Sequence, residues 1–134
     1  MSDEMLSIVA ALIRDEVGRV LLVRKRGTAA FMQPGGKIDA GESDVAALAR
    51  EIVEELGCCL DRHTARALGT FECAAAHEPG VQLHASVYAV EIAGRVTPQA
   101  EIEQVVWVDP HILPDLPLAP LTRDHVLPLA CAES

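Results

Sequence analysis

The sequence predicts one α/β layered domain, and three observations carry that expectation. The chain has 134 residues, enough for one hydrophobic core and too few for two. Apolar, β-prone segments fill much of its beginning and most of its second half. Between them, from Ser43 to Gly57, the apolar residues recur at helical spacing. Strands on either side of such a helix imply a mixed sheet with the helix packed on it.

The elements follow in order. Residues 5–13 and 19–24 are apolar and flank Arg14-Asp-Glu-Val-Gly18, which carries turn residues, so they predict a hairpin or adjacent strands. After the polar stretch from Lys25 to Thr28, Phe31-Met-Gln-Pro-Gly-Gly36 reads as a loop, because Pro-Gly-Gly is strong turn punctuation. Ser43 suits a helix N-cap, with Asp44 favourable in the first turn. Val45, Leu48, Ala49, Ile52 and Leu56 then form one stripe and Gly57 suits the stop, which predicts a helix over 44–56. Residues 65–75 and 81–92 read as strands around the turn His77-Glu-Pro-Gly80. Gly94 precedes a shorter piece, and residues 104–108 form a further strand. Residues 109–120 hold four prolines and predict a loop, and 121–130 a short terminal helix, interrupted or ended near Pro128.

Composition narrows the function. Half the residues are hydrophobic and 23% are charged, which excludes disorder across the chain. No apolar run reaches the roughly 18 residues of a membrane span. The start, Met1-Ser-Asp-Glu4, is acidic where an export signal is basic, so a cytoplasmic protein is expected. Eleven basic residues stand against 20 acidic ones, net −9, which disfavours a nucleic-acid polymer as partner but not a small anion reached through metal cations. Cys58, Cys59, Cys73 and Cys131 match no zinc spacing and read as free buried thiols. The five histidines show no ligand spacing either. Aromatics are limited to Phe31, Phe71, Tyr88 and Trp107, and the chain contains no Asn.

Glu51, Glu54 and Glu55 stand at i, i+3 and i+4 of the predicted helix, on an arc of roughly 100° beside the apolar stripe. Three glutamates on a helix commonly make no more than a solvated acidic face. Here the helix follows a segment with Gly35, Gly36 and Gly41, where bare backbone lets a metal ion or phosphate come close. Arg50 can neutralise one carboxylate, and a hard cation such as Mg²⁺ or Mn²⁺, which prefers oxygen ligands, could compensate the rest.

This stretch resembles the Nudix box, G-x5-E-x7-R-E-U-x-E-E-x-G-U, with U a bulky apolar residue. It reads Gly36, Glu42, Arg50, Glu51, Ile52, Glu54, Glu55, Gly57 and Cys58, with Cys58 the one soft match. The box spans residues 36–58, and the flanking strands extend the resemblance over nearly all of a single domain, residues 1–134. The resemblance implies the Nudix fold, a mixed sheet between helices (α/β/α), and a Mg²⁺- or Mn²⁺-dependent hydrolase of nucleoside diphosphates linked to another moiety, by metal-activated attack of water on phosphorus. Carried over by position, Glu51, Glu54 and Glu55 are metal ligands, the Gly35 carbonyl a further one, and Glu42 and Arg50 supports that orient the loop and Glu51. A carboxylate just before the Trp107 strand completes such sites; Glu101 is the first choice and Glu103 the second.

Outside the box the features are weaker. Arg24, Lys25 and Arg26 form the densest basic cluster and could contact substrate phosphates, with Arg24 and Arg26 the candidate substrate-binding residues. Phe31 could stack a base or simply pack. The proline, tyrosine, coenzyme A and NADH signatures of other Nudix subfamilies are absent from their places. What remains is similar to the small MutT-like nucleoside triphosphate pyrophosphohydrolases. Without an Asn to read 8-oxoguanine, amide readout falls to Gln33, Gln82, Gln99 and Gln104, of which Gln33 is best placed. The alternatives are a catalytically silent Nudix-fold regulatory module that binds nucleotides, and a prenyl diphosphate isomerase, for which Cys58 and Cys59 are poorly placed. By analogy with small Nudix domains a homodimer is expected.

Overall fold

The computed structural model describes residues 4–76 and 78–133. In chain order the elements are β1 (Glu4–Leu12), β2 (Val20–Lys25), β3 (Phe31–Met32), β4 (Gly35–Lys37), α1 (Asp44–Leu56), β5 (Cys59–Ala74), β6 (Val81–Ala93), β7 (Ile102–Val108), a π-helical turn (Thr122–Val126) and α2 (Leu127–Ala132). Two sheets form, ordered β4-β1-β6-β5 and β3-β2-β7. β1 runs parallel to β6, and the other pairings are antiparallel, so the sheet structure is mixed as expected.

Alternate residues of the central strands feed two cores. Val9, Ala11, Ile13, Leu21 and Val23 pack with Leu48, Ile52 and Leu56 of α1. Ala10, Leu12, Val20 and Leu22 pack on the other side with Val126, Leu127 and Ala130. Burial on both faces is why β1 and β2 read as continuous apolar runs rather than alternating ones. The expected hairpin between them forms only at its turn, where the Leu21 N–H donates to the Ile13 carbonyl at 2.9 Å. Asp15 Oδ1 closes that turn, accepting from the Val17 and Arg19 N–H groups at 3.1 and 2.8 Å. Beyond it the strands part, because β1 already has β4 and β6 on its edges and β2 has β3 and β7.

Helix α1 has the predicted bounds. Ser43 Oγ accepts from the Ala46 N–H at 3.1 Å, and Gly57, left-handed at φ 66°, returns its N–H to the Val53 carbonyl. Other boundaries differ. Gly35 and Gly36, expected in a loop, are a short strand paired to β1. β5 starts at Cys59, well before residue 65, because two bulges break its alternation, and Thr64 fills one of them by accepting from the Glu91 N–H at 2.9 Å. β7 starts at Ile102 rather than residue 104. The final helix runs through Pro128 instead of ending there. A π-helical turn precedes α2, with the Leu127 N–H reaching back to the Thr122 carbonyl, and Pro128 follows in the first turn of α2, where a missing N–H is tolerated.

The expected turn at His77 lies outside the described residues. None of the four cysteines is in a disulfide, but only Cys58 is buried; Cys59 is exposed on the edge strand, and the Cys131 thiol donates to the Pro110 carbonyl at 2.9 Å. Among the described residues no helix is long and apolar enough to cross a membrane.

Candidate active site

The site is built where β4 meets α1, and the backbone of β1 there leaves no room for a side chain at Gly35. A Cβ on Gly35, at φ +147°, would stand 2.1 Å from the Val9 carbonyl oxygen, because β4 presses directly on β1. A Cβ on Gly36 would stand 2.5 Å from the Glu51 carboxyl, which lies flat against bare backbone. The Gly35 N–H donates to Glu55 Oε1 at 3.3 Å. Strand and helix are thus joined through the two carboxylates that the spacing placed together.

Arg50 organises the neighbouring segment. Its Nε and one terminal nitrogen donate to both oxygens of Glu42, at 2.9 and 2.8 Å, a bidentate pair. The other terminal nitrogen donates to Glu51 at 3.2 Å and lies 3.6 Å from Glu54. Arg50 also reaches the Lys37 carbonyl at 3.1 Å, and Glu42 accepts from the Asp39 N–H at 2.9 Å. One guanidinium therefore pins the connection between β4 and α1 while holding Glu51. Its bonds pull the Glu42 carboxyl down to about 2 and push the guanidinium further up.

The remaining carboxylates are undercompensated. Burial pushes the Glu55 carboxyl up to about 8, and the charges of Glu51 and Glu101 add to the rise, while the Gly35 N–H and Lys25 oppose it. Glu51 is also raised, by burial and then by Glu54, against the pull of Arg50 and Lys25. Glu54 is the exposed member, its side chain 53% accessible.

Glu101 reaches this cluster through the end of α1. Two backbone carbonyls of the last helical turn, Leu56 and Glu55, accept from the Thr97 and Gln99 N–H groups at 2.8 and 2.9 Å. That docking satisfies orphan helix carbonyls and carries residues 97–101 past the glutamates. Glu103 instead pairs outward with Arg26 at 3.2 Å.

The basic residues divide by strand face. Lys25 lies 3.5 Å from Glu101 and its charge acts on Glu51 and Glu55. Lys25, named from the sequence only as part of the basic cluster with Arg24 and Arg26, is the member of it whose charge acts on these carboxylates, while Leu21 and Val23 of the same strand pack toward α1. Arg24 faces the other way, 5.9 Å over the ring of Phe31 and bonded to the Thr28 carbonyl and Gln104. Arg26 is taken up by Glu103 and the Ala100 carbonyl. Phe31 is 4% exposed in the second core, so its burial supports packing rather than stacking. Gln33 is buried and accepts from the Thr122 hydroxyl at 2.7 Å. Thr122 and Tyr88, whose hydroxyl donates to Asp44 of α1 at 2.8 Å, were not anticipated as partners, because both contacts join residues distant in sequence.

Among the described residues no three carboxylates, thiols or imidazoles converge on a point where a metal ion would sit. The donor chemistry nonetheless fits a hard cation. Glu51, Glu54, Glu55 and Glu101 are all oxygen donors, and at Glu55 their mutual repulsion is left uncompensated by the protein's own cations. Their carboxylates are held apart by Arg50, the Gly35 N–H and Lys25.

Residues 5–129 match the NUDIX domain family. The chain belongs to that family. Its similarity to the 8-oxo-dGTP diphosphatase of Haemophilus influenzae is 39% identity over 61 residues, 42% of this chain and 45% of that protein. The match therefore spans less than half the length of that relative. Among solved structures, a MutT NUDIX hydrolase from Burkholderia pseudomallei is 29% identical with a TM-score of 0.80, over 95% of this chain and 98% of that one. The Escherichia coli ORF135 protein is 27% identical with a TM-score of 0.74, over 98% and 89%. The α/β fold with helices on both faces is thus the Nudix architecture, as the box implied.

Proposed function

We propose that this NUDIX chain is a divalent-metal-dependent hydrolase of nucleoside diphosphates linked to another group, with nucleoside triphosphates as the leading substrates and pyrophosphate as the released product. The observation that carries the proposal is the meeting of Glu51 and Glu55 with the side-chain-free backbone of Gly35 and Gly36. Glu51, Glu54, Glu55 and Glu101, with the Gly35 carbonyl, are the groups that would hold Mg²⁺ or Mn²⁺. When bound there, the cation neutralises the diphosphate, lowers the pKa of a coordinated water and stabilises the leaving phosphate.

The chain's own residues do the rest. Glu42 and Arg50 keep the connection between β4 and α1 in one conformation and hold Glu51 against Gly36. Burial, with the charges of Glu51 and Glu101, holds the Glu55 carboxyl up to about 8, so a cation bound there would displace its proton. Lys25, already among these carboxylates, is placed to meet a phosphate oxygen. Arg24 holds the 25–30 connection through the Thr28 carbonyl, at the rim where phosphates would approach.

The relatives' names support the hydrolase class; the diphosphatase name belongs to the Haemophilus influenzae protein. A panel of nucleoside triphosphates and diphosphate-linked nucleosides, assayed for phosphate and pyrophosphate release with Mg²⁺, with Mn²⁺ and with EDTA, tests the proposal. Metal-dependent release from at least one nucleotide is expected. Tight nucleotide binding with no release under any condition would favour the regulatory module instead.

A further inference from the structure

We propose that the Lys25 ammonium holds the place of the divalent cation in the metal-free site: it keeps Glu101 at the α1 carboxylates and is displaced when a cation binds, so Lys25 sets the metal affinity. The inference rests on the reading of Glu51, Glu54, Glu55 and Glu101 as metal ligands and names the residue that competes for them.

Lys25 is the last residue of β2, and its pairing with β7 is irregular there. The ladder passes from Arg24 opposite Gln104 to Lys25 opposite Ile102, so Glu103 is skipped. A regular ladder would set Lys25 beside Glu103. A bulge re-aims the side chains around it, and here it sorts two carboxylates between two cations. Glu103 takes Arg26 at 3.2 Å, and Lys25 Nζ comes to 3.5 Å from Glu101.

Backbone bonds fix both members of that pair. The Lys25 carbonyl accepts from the Thr28 N–H at 3.1 Å and from the Thr28 hydroxyl at 2.8 Å. The Arg26 N–H donates to the Glu101 carbonyl at 2.7 Å. Just before Glu101, Ala100 stands at φ 53°, a left-handed backbone that alanine takes where its surroundings impose it. Two bonds impose it here: the Gln99 N–H donates to the Glu55 carbonyl and the Ile102 N–H to the Gln99 carbonyl, both at 2.9 Å. The pair is thus set by the frame of the site rather than by two free surface side chains.

The Lys25 charge opposes the rise of both the Glu55 and the Glu51 carboxyls. Arg50, the other cation beside Glu51, is engaged by both oxygens of Glu42. An ammonium and a divalent cation seek the same oxygens and repel each other. A unit charge a few ångströms from a divalent one costs roughly tenfold in affinity even in water. The Lys25 side chain is 34% accessible and ends a flexible four-carbon stem, so the ammonium can leave for solvent while the bonded backbone stays in place.

The test compares wild type, Lys25→Gln, Lys25→Arg and Arg26→Gln without nucleotide, and therefore without turnover. Mn²⁺ affinity is read from the electron paramagnetic resonance of the free ion. Lys25→Gln should bind Mn²⁺ about tenfold tighter than wild type. Lys25→Arg keeps the charge and should not gain. Arg26→Gln removes the same charge one residue on, at an exposed pair, and should stay within about threefold of wild type. A second readout follows the ammonium itself. The chain has two lysines, so acetylation by an N-hydroxysuccinimide ester, read by mass spectrometry, reports Lys25 against the exposed Lys37. Carboxylates keep the Lys25 amine protonated, so saturating Mn²⁺ should speed its acetylation at least about threefold relative to Lys37. Equal Mn²⁺ affinity in wild type and Lys25→Gln, an equal gain in Arg26→Gln, or Lys25 acetylation indifferent to Mn²⁺ would overturn the inference and leave the metal site standing. Absence of Mn²⁺ binding by every protein would overturn the metal reading and the inference together.

Discussion

Replacing Glu55 with glutamine should stabilise the metal-free protein at alkaline pH while removing its activity. Glu55 is 4% exposed, and burial with the charges of Glu51 and Glu101 raises its carboxyl from 4.5 to about 8. A folded-state pKa above the unfolded value means that the carboxyl's contribution to stability is complete below pH 4.5. It is lost as pH rises to about 8 and stays lost above. At about 1.4 kcal/mol per pH unit, that interval sets an upper bound of about 5 kcal/mol. Partial relaxation of the site reduces this to roughly 2–3 kcal/mol, or about 6–12 °C in a domain of this size. Glutamine keeps an oxygen for the Gly35 N–H and cannot ionise. The assay is thermal melting of both proteins in EDTA from pH 4.5 to 9. Their melting temperatures should converge at the acid end, separate progressively between pH 4.5 and 8 with Glu55→Gln higher, and stay separated above 8. Saturating Mg²⁺ should raise wild type more than the variant. A variant less stable than wild type at pH 9 in EDTA, or a difference independent of pH, would refute the reasoning.

Other substitutions probe separate parts of the site. Glu54→Gln removes an exposed carboxylate whose ion-pair partner among the described residues is Arg50 at 3.6 Å, so stability should change by less than about 0.5 kcal/mol while kcat falls at least about a hundredfold; melting and steady-state kinetics check both. Gly35→Ala drives a methyl to 2.1 Å from the Val9 carbonyl in a left-handed backbone and should cost at least about 3 kcal/mol, read from urea unfolding. The Glu42 carboxyl is held down to about 2, so its contribution is present above pH 4.5 and is lost as pH falls toward 2. Glu42→Gln should flatten the stability profile across that window and expose residues 37–42 to limited proteolysis at neutral pH.

The legible parts of the fold and site were those written in local spacing. Helix α1 was readable to the residue because its cap, stripe and stop are all sequence-local. The carboxylate set was readable for the same reason, since i, i+3 and i+4 on one helix cannot be far apart. Tertiary pairing was not legible. The β1–β2 segments looked like a hairpin because both are apolar, and apolarity does not say which strand takes which edge. The Gly35-Gly36 pair looked like a loop because glycine is a turn signal, whereas close approach to the Val9 backbone is what demands Gly35. Pro128 looked like a stop because the interior of an α-helix has no room for it, whereas it stands in the first turn of α2, after the π-helical turn. Glu101 was favoured over Glu103 by position alone. The structural distinction is that Lys25, the last residue of β2, takes Glu101, and Arg26, just beyond the strand, takes Glu103.

The most direct test of the account is pyrophosphate release from nucleoside triphosphates by wild type and Glu54→Gln, each with Mg²⁺, with Mn²⁺ and with EDTA. The account predicts turnover by wild type that EDTA abolishes, and near-complete loss in a Glu54→Gln protein that melts like wild type. Full activity in Glu54→Gln, or wild-type turnover that persists in EDTA, would contradict it.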